Sequence, residues 1–135
     1  DLFAGVGLFS RVLTRGFEQV VAVEAAGEDL IRSFKGGGRR AISATTVEFL
    51  RGAVVQRERP DLVVMDPPRA GVGAEVCGLL ARVSAKEMVY VSCDPVTLAR
   101  DLKALVAAGY RLVELHMVDL FPQTFHLETV VVLRK

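Results

Sequence analysis

The sequence predicts an α/β domain in which a mainly parallel, doubly wound sheet ends with one reversed strand. Short apolar segments of strand length alternate with segments whose apolar residues have helical spacing. This alternation is typical of parallel sheets covered by helices on both faces. Only the last two predicted strands follow each other without a helix between them, so we expect them to form an antiparallel hairpin.

The bounds of the elements follow from apolar spacing and from residues that start or stop helices. Gly16 and Gly109 end helices, and glycines 36–38 stop the second helix from continuing. Thr46 is expected to cap the third helix. The predicted strands cover residues 1–3, 19–24, 41–44, 61–65, 87–91, 110–118 and 127–133. The predicted helices cover residues 8–15, 28–34, 47–56, 74–83 and 96–108.

Length and composition limit the class of protein. A chain of 135 residues, half of them hydrophobic, suits one domain with a substantial core. It shows neither a membrane-length apolar run nor a signal peptide, so we expect no membrane contact. Its low cysteine content indicates a reducing, cytoplasmic setting. The net charge of +1 gives no overall basic signature for nucleic acid, and no protein partner is indicated. Two cysteines, Cys77 and Cys93, are too few for a disulfide framework or a structural zinc site.

The start of the chain indicates a nucleotide-like ligand. Residues 1–3 lead directly into a glycine turn, so we interpret them as the end of a strand and the chain as a piece of a longer protein. Gly5 and Gly7 permit a tight turn and the close approach of a ligand. Glu24 ends the next strand, where an acid can accept hydrogen bonds from both ribose hydroxyls. The alternative for Glu24 is an acid at a helix N-terminus.

Two further strand ends carry chemically active groups. Asp66 and Arg69 follow an apolar strand in an Asp-Pro-Pro-Arg segment, which its two prolines stiffen. Cys93 follows strand 87–91, and the next helix, with apolar residues at 98, 102, 105 and 106, favours a thiolate at its N-terminus. A thiol there can reach a substrate, although a small buried residue would also fit. Cys77 lies within a helix and is interpreted as structural.

Four motifs run from one end of the chain to the other. They are Asp-Leu-Phe-Ala-Gly-Val-Gly at 1–7, Asp-Pro-Pro-Arg-Ala-Gly at 66–71, Ser-Cys-Asp-Pro at 92–95 and Phe-Pro-Gln-Thr-Phe-His-Leu-Glu at 121–128. Their order resembles that of the RNA (uracil-5-)-methyltransferases, which form 5-methyluridine in tRNA or 23S rRNA. Four motifs in order make the resemblance far more specific than any one motif alone.

The resemblance implies a fold, a cofactor and roles for individual residues. The fold is the Rossmann-like class I fold of the S-adenosylmethionine-dependent methyltransferases. Cys93 matches the nucleophile of the family, and Glu128 matches its general base. The positions that match the S-adenosylmethionine site are Phe3, Gly5, Gly7, Glu24 and Asp66.

The resemblance also implies parts that these residues do not include. The family usually carries an N-terminal OB-like RNA-binding domain, and some members hold an iron–sulfur cluster with upstream cysteines. We therefore expect tRNA or 23S rRNA as the partner, and an iron–sulfur cluster only in an upstream region. Residues 1–135 are interpreted as the methyltransferase catalytic domain, truncated at its N-terminal end.

The chain departs from the family pattern in places, and other functions stay open. Leu8 stands where many members have a polar residue facing the cofactor, Ala-Thr-Thr at 44–46 replaces an acid that often holds the adenine, and an upstream glutamine is missing. One alternative is another class of nucleic-acid methyltransferase, since an Asp-Pro-Pro loop also suits transfer to an exocyclic amine. Another is a degenerate module that binds RNA or a partner without catalysis. His126 is interpreted as structural rather than as a second acid or base.

Overall fold

The computed structural model describes residues 1–120, 122–124 and 127–135. The strands are β1 Val20–Glu24, β2 Arg39–Ser43, β3 Leu62–Met65, β4 Glu87–Ser92, β5 Arg111–Val118 and β6 Glu128–Arg134. The helices are α1 Leu8–Leu13, α2 Glu28–Ser33, α3 Thr46–Val55, α4 Gly73–Val83 and α5 Pro95–Ala107. Each lies where the sequence predicts it, with ends that differ by at most two residues, whereas the strand predicted over residues 1–3 is present only as bridges at Leu2.

The sheet is continuous through Leu2. The residue bridges Val23 of β1 and Met65 of β3, both in parallel orientation. Strand β1 pairs with β2 on one side, and β3 pairs with β4 on the other, again in parallel. The order across the sheet is therefore β2, β1, the segment at Leu2, β3, β4, β6, β5.

The last strand runs against its neighbours, as predicted. Strand β6 lies between β4 and β5 and is antiparallel to both of them. The pairing of β5 with β6 has a register shift between Leu112 and Glu114. The expected hairpin is therefore confirmed, and β6 is inserted between β5 and the parallel part of the sheet.

Helices cover the sheet from two sides, which makes it doubly wound. Val20 and Ala22 of β1 pack with Leu30 and Phe34 beneath α1 and α2. Val23 of the same strand belongs to the larger cluster beneath α3, α4 and α5. Because side chains alternate along a strand, these two clusters lie on opposite faces of the sheet. The larger one contains the fully buried residues Met65, Leu80, Met88, Tyr90, Leu105, Val131 and Leu133.

The cap of α3 is Thr45, so the prediction of Thr46 is wrong by one residue. The extended Thr45 accepts a hydrogen bond at its Oγ1 from the Glu48 N–H at 3.2 Å, and its own N–H donates to Glu48 Oε2 at 2.9 Å. This reciprocal pair is a capping box. Thr46 is already helical and is buried, so its hydroxyl does not cap the helix.

Across residues 1–120, 122–124 and 127–135, no helix combines the length and the apolar character that spanning a bilayer requires. The longest, α5, has 13 residues.

Two glycines provide a matched test of this packing. Gly38 has φ +81°, and a Cβ there would overlap the Glu18 carbonyl oxygen, whereas a Cβ on Gly52 within α3 would meet nothing within 4 Å. We expect Gly38→Ala to lower the free energy of unfolding by about 2 kcal/mol or more. Gly52→Ala should raise it by roughly 0.5–1 kcal/mol. Urea unfolding of both variants measures the difference, and equal midpoints would contradict the close approach at Gly38.

Candidate active site at the carboxyl edge of the sheet

Three of the predicted site residues follow directly after paired positions on neighbouring strands. Leu2 bridges Val23 and Met65, so the next residues, Phe3, Glu24 and Asp66, lie side by side at the carboxyl edge. In open α/β sheets ligands bind at this edge. The structure therefore brings together the residues that the sequence assigns to a cofactor.

The glycine turn begins immediately after Phe3. The Gly7 N–H donates to the Ala4 carbonyl at 2.7 Å, and Gly5 and Gly7 have φ of +53° and +84°. A Cβ on Gly7 would lie 2.8 Å from Leu30 Cδ1 of α2. Both positive φ values favour glycine, and they keep the turn compact at the start of α1.

Glu24 is attached to this turn. Its Oε2 accepts the Gly5 N–H at 2.9 Å, and its Oε1 accepts the Ala26 N–H at 3.3 Å. A carboxylate has about four acceptor sites, so about two remain for a ligand. The alternative role as an acid in a helix N-terminus does not apply, because α2 begins at Glu28 and has Glu28 and Asp29 in its first turn.

Phe3 has a strained backbone. Its φ of +59° lies in the left-handed region, which costs a residue with a side chain roughly 1–2 kcal/mol. The bridges of Leu2 on one side and the turn bond at Ala4 on the other hold Phe3 in place, and its half-buried ring packs against the main core. Such strain concentrates at functional sites, which agrees with a cofactor contact at Phe3.

The loop of residues 66–72 follows β3, begins at Asp66 and places Arg69 beside α5. Asp66 is exposed, but the surrounding atoms desolvate its carboxyl group and raise its pKa. The Asp66 N–H still donates to the Leu2 carbonyl at 3.4 Å, which fixes its backbone to the sheet. Pro67 is buried, and the guanidinium of Arg69 lies 3.7 Å from the Asp94 carboxylate.

Cys93 lies between the end of β4 and the cap of α5. It is a half-buried free thiol. The neighbouring Asp94 side chain accepts the N–H groups of Val96 and Thr97, each at 3.0 Å, and these bonds lower the pKa of Asp94. The helix N-terminus expected to stabilise a Cys93 thiolate therefore already binds the Asp94 carboxylate.

Glu128 reaches the same edge through the register of β4 and β6. Val91 pairs with Val130, and Ser92 pairs with Thr129 at the end of the ladder, so Cys93 directly follows the last pair on one strand and Glu128 directly precedes it on the other. Glu128 is half-buried, and the alternation along β6 places it on the face opposite the buried Thr129. The prediction for His126 lies outside the described residues, as do Phe121 and Phe125.

Cys77 is structural in position and environment. It is buried in the main core on α4, and its Sγ lies 3.7 Å from the Asp101 carbonyl oxygen. Burial raises the pKa of the Cys77 thiol to about 11. Thiolate chemistry at neutral pH is therefore disfavoured at Cys77.

A separate cavity of about 670 Å³ opens at the other edge of the sheet, among Val20, Val21, Leu62 and Arg59. These residues lie at the amino ends of β1 and β3 and after α3, so the cavity is distinct from the site around Cys93. In the part of the chain that the structure describes, no group of three or more His, Cys, Asp or Glu side chains is arranged to hold a metal ion.

A comparison with known families matches the larger part of the chain, which carries Asp66, Cys93 and Glu128. The family model described as tRNA (uracil-5-)-methyltransferase covers residues 40–135. The chain belongs to this family. The match includes the 66–72 loop and both strands beside whose last pair Cys93 and Glu128 lie.

Individual relatives extend the similarity to the glycine turn. An uncharacterised RNA methyltransferase of Thermotoga maritima is 41% identical over 142 residues, which include the whole of this chain and 31% of the relative. A 23S rRNA (uracil(1939)-C(5))-methyltransferase of Aeromonas salmonicida is 44% identical over 135 residues, 96% of this chain and 30% of the relative. The chain therefore spans less than a third of the length of these relatives.

Solved structures support the same fold. The tRNA (uracil-54, C5)-methyltransferase of Pyrococcus abyssi, in complex with S-adenosyl-L-homocysteine, has a TM-score of 0.75 at 32% identity. The match covers 98% of this chain and 32% of that protein. The magnesium protoporphyrin IX methyltransferase of Synechocystis, at 11% identity, has a TM-score of 0.66 over 100% of this chain and 68% of its own, which shows the fold alone. The predicted Rossmann-like methyltransferase fold is confirmed.

Sequence reasoning assigned no role in the site to two acids, Asp94 and Asp101, although Asp94 belongs to the Ser-Cys-Asp-Pro motif. Asp94 caps α5 just before Pro95, and an Asp followed by Pro at the first helical position is a recognisable helix start. Asp101 lies within α5 and is almost completely buried. Its signal was its spacing from Leu98 and Leu105, which places all three on one face of the helix.

Burial predicts which cysteine reacts first. At neutral pH we expect an alkylating reagent to label Cys93 before Cys77, because the Cys77 thiol is buried and its pKa is about 11. Mass spectrometry of peptides after timed labelling measures both rates. Cys93→Ala is the control, and its labelling should be slow and confined to Cys77. Equal rates at the two thiols in the unsubstituted protein would contradict the partly exposed position of Cys93.

Proposed function

We propose that this chain is the methyltransferase catalytic domain of an enzyme that methylates C5 of a uridine in structured RNA. The proposal assigns S-adenosylmethionine as the methyl donor, Cys93 as the nucleophile and Glu128 as the general base. It depends above all on one observation, the register of β4 and β6, whose last pair, Ser92 and Thr129, has Cys93 next to it on one strand and Glu128 next to it on the other. One nucleophile and one base are the minimum that this reaction requires.

The relatives support RNA as the substrate class. The Aeromonas salmonicida relative is named for a uracil of 23S rRNA, and the Pyrococcus abyssi structure is that of a tRNA methyltransferase. The two names differ in the RNA but agree in the atom that is methylated. We infer tRNA or 23S rRNA as the partner, with the choice made by regions of the relatives that lie outside the span of this chain.

The residues present fit S-adenosylmethionine. The glycine turn and the spare acceptor sites of Glu24 suit a ribose, and Phe3 and Asp66 lie beside Glu24 along the edge. Strand spacing of about 4.8 Å places β4 roughly 14 Å from β1, since the segment at Leu2 and β3 lie between them. A methyl donor bound at Glu24 would therefore have to extend past the end of β3 to reach Cys93.

The chemistry explains why a thiol and a carboxylate are needed together. C5 of uracil is a poor nucleophile toward a methyl sulfonium. When the Cys93 thiolate forms a bond to C6, the electron pair of the C5–C6 double bond moves into the ring as an enolate, and C5 becomes nucleophilic. S-adenosylmethionine, when bound, supplies the electrophilic methyl group that C5 attacks.

The product of methyl transfer still has to be released from the enzyme. C5 then carries both the methyl group and a proton, and C6 remains bonded to Cys93. Glu128 takes the proton, the C5–C6 double bond re-forms, and the thiolate leaves. The uridine must first leave its stack to reach these groups, which costs a few kcal/mol.

The ribose role of Glu24 is testable through binding. In the full-length protein we expect Glu24→Gln to weaken S-adenosylmethionine binding by roughly 10- to 100-fold, because a charged acceptor for the ribose hydroxyls is lost. Gln keeps an oxygen for the Gly5 N–H, so the turn should remain intact. Equilibrium dialysis with labelled cofactor measures the affinity.

The matched control for this change is Glu58→Gln. Glu58 is an exposed acid that lines the cavity at the opposite edge, and its substitution should leave the affinity unchanged. Unchanged affinity in Glu24→Gln would refute the ribose role. If the unsubstituted protein showed no saturable binding, the chain would instead be a degenerate module that has lost its cofactor.

The base role of Glu128 is testable through a trapped intermediate. Proton removal follows methyl transfer, so losing the base should not prevent attack by Cys93. We expect Glu128→Gln in the full-length protein to accumulate a covalent protein–RNA adduct that already carries the methyl group. Denaturing electrophoresis after incubation with RNA and methyl-labelled cofactor detects the adduct.

The control for this experiment is Cys93→Ala, which should form no adduct and give no turnover. Normal turnover by Glu128→Gln, without an adduct, would mean that another group removes the proton. An adduct that lacks the methyl group would place Glu128 in an earlier step than proposed.

A further inference from the structure

A buried carboxylate on α5 binds the loop that leads away from β3. Asp101 has a relative exposure of only 1%. Its Oδ2 accepts the Tyr90 hydroxyl and the Val72 N–H, both at 2.8 Å. Its Oδ1 accepts the Gly73 N–H at 3.2 Å, and Nε and Nη2 of Arg100 at 3.0 and 2.9 Å. These bonds compensate for the burial of the charge.

The same helix also binds the rest of this loop. Nη2 of Arg100 donates to the Ala70 carbonyl at 2.8 Å, and Oγ1 of Thr97 donates to the Arg69 carbonyl at 2.9 Å. The guanidinium of Arg69 in turn lies near Asp94, the cap of α5. Residues 69–73 are thus connected to the first two turns of α5, which begins just after Cys93.

The backbone of the loop lies directly on the Asp101 carboxylate. Gly71 has φ +72°, and a Cβ there would overlap Oδ2 of Asp101 and lie 2.9 Å from Nη2 of Arg100. Only glycine allows this approach without displacing the network. The tight fit makes the loop position sensitive to small movements of Asp101.

We propose that Asp101 is a positioning residue that sets the place of Asp66 and Arg69 relative to Cys93. Asp101 joins the three segments that form this part of the site, namely β4 through Tyr90, the 66–72 loop through Val72, and α5 itself. This inference rests on the proposed function, because it assumes that loop and thiol act on one substrate. A displacement of about 1 Å between reacting groups can cost on the order of 100-fold in rate.

The test is Asp101→Asn in the full-length protein. Asn keeps the size of the side chain but replaces one acceptor oxygen with an NH₂ group and removes the charge. We expect the single-turnover rate of methyl transfer to RNA to fall roughly tenfold or more. Amide hydrogen exchange at Val72 and Gly73 should become faster, because their acceptor is weakened.

The matched control is Leu105→Ala. Leu105 is fully buried on the same helix, one turn beyond Asp101 and farther from the loop, so its substitution lowers stability through packing alone. With each variant assayed well below its own unfolding temperature, Leu105→Ala should keep a near-normal rate. An equal loss of rate in both variants, or a normal rate in Asp101→Asn, would overturn the positioning role.

Tyr90→Phe extends the test if Asp101→Asn does not fold. It removes one donor to Asp101 and keeps the apolar packing of the ring. A smaller fall in rate and faster exchange at Val72 are expected, and no change in either would refute the inference. If the unsubstituted protein transferred no methyl group, the proposed function would fail. Unchanged amide exchange in the variants would separately refute the claim that Asp101 fixes the position of the loop.

Discussion

The double pairing of Leu2 is the constraint on which the rest of the structure depends. The Leu2 N–H donates to the Val64 carbonyl at 2.8 Å, and the Val23 N–H donates to the Asp1 carbonyl at 2.9 Å. These bonds join the pair β1–β2 to the four strands β3, β4, β6 and β5. They also align the strand ends, so Glu24 and Asp66 lie at one edge on either side of Phe3. The strained backbone of Phe3 follows directly from this alignment, because the chain must turn sharply where the bridges end.

The sequence predicted the order of the elements well because each strand ends in a recognisable signal. Glu24 and Asp66 were placed at one edge because parallel strands share a carboxyl edge. The reversed last strand is predicted because the sequence shows no helix between the last two strands. The register of β6 could not be predicted in the same way, since it depends on pairing with both neighbours and on the shift between Leu112 and Glu114.

The predictions of the cap of α3 and of the apolar face of α5 were wrong in detail for a common physical reason. In each case a polar side chain competes for a position, at the end of α3 and in the core beneath α5. Thr45 and Thr46 both suit a cap, and only the reciprocal bonds with Glu48 decide between them. In α5 the expected apolar stripe included Val106, which is half exposed. The buried face instead includes Asp101, whose charge is tolerated because the 66–72 loop and Tyr90 supply hydrogen bonds from outside the helix.

The two parts of the site lie in different segments of the sequence, one before and one within the segment that matches the family. The glycine turn and Glu24 precede the segment that matches the family, and distant methyltransferases at 11% identity share the fold in which they lie. The 66–72 loop, Cys93 and Glu128 all lie within residues 40–135. The glycine turn and Glu24 therefore lie in a fold that is shared with other methyltransferases, whereas we propose that the contacts of α5 with the loop and the register of β6 serve the acceptor. Because α5 begins just after Cys93 and β6 pairs with β4 up to Ser92, the positions of both features depend on the end of β4.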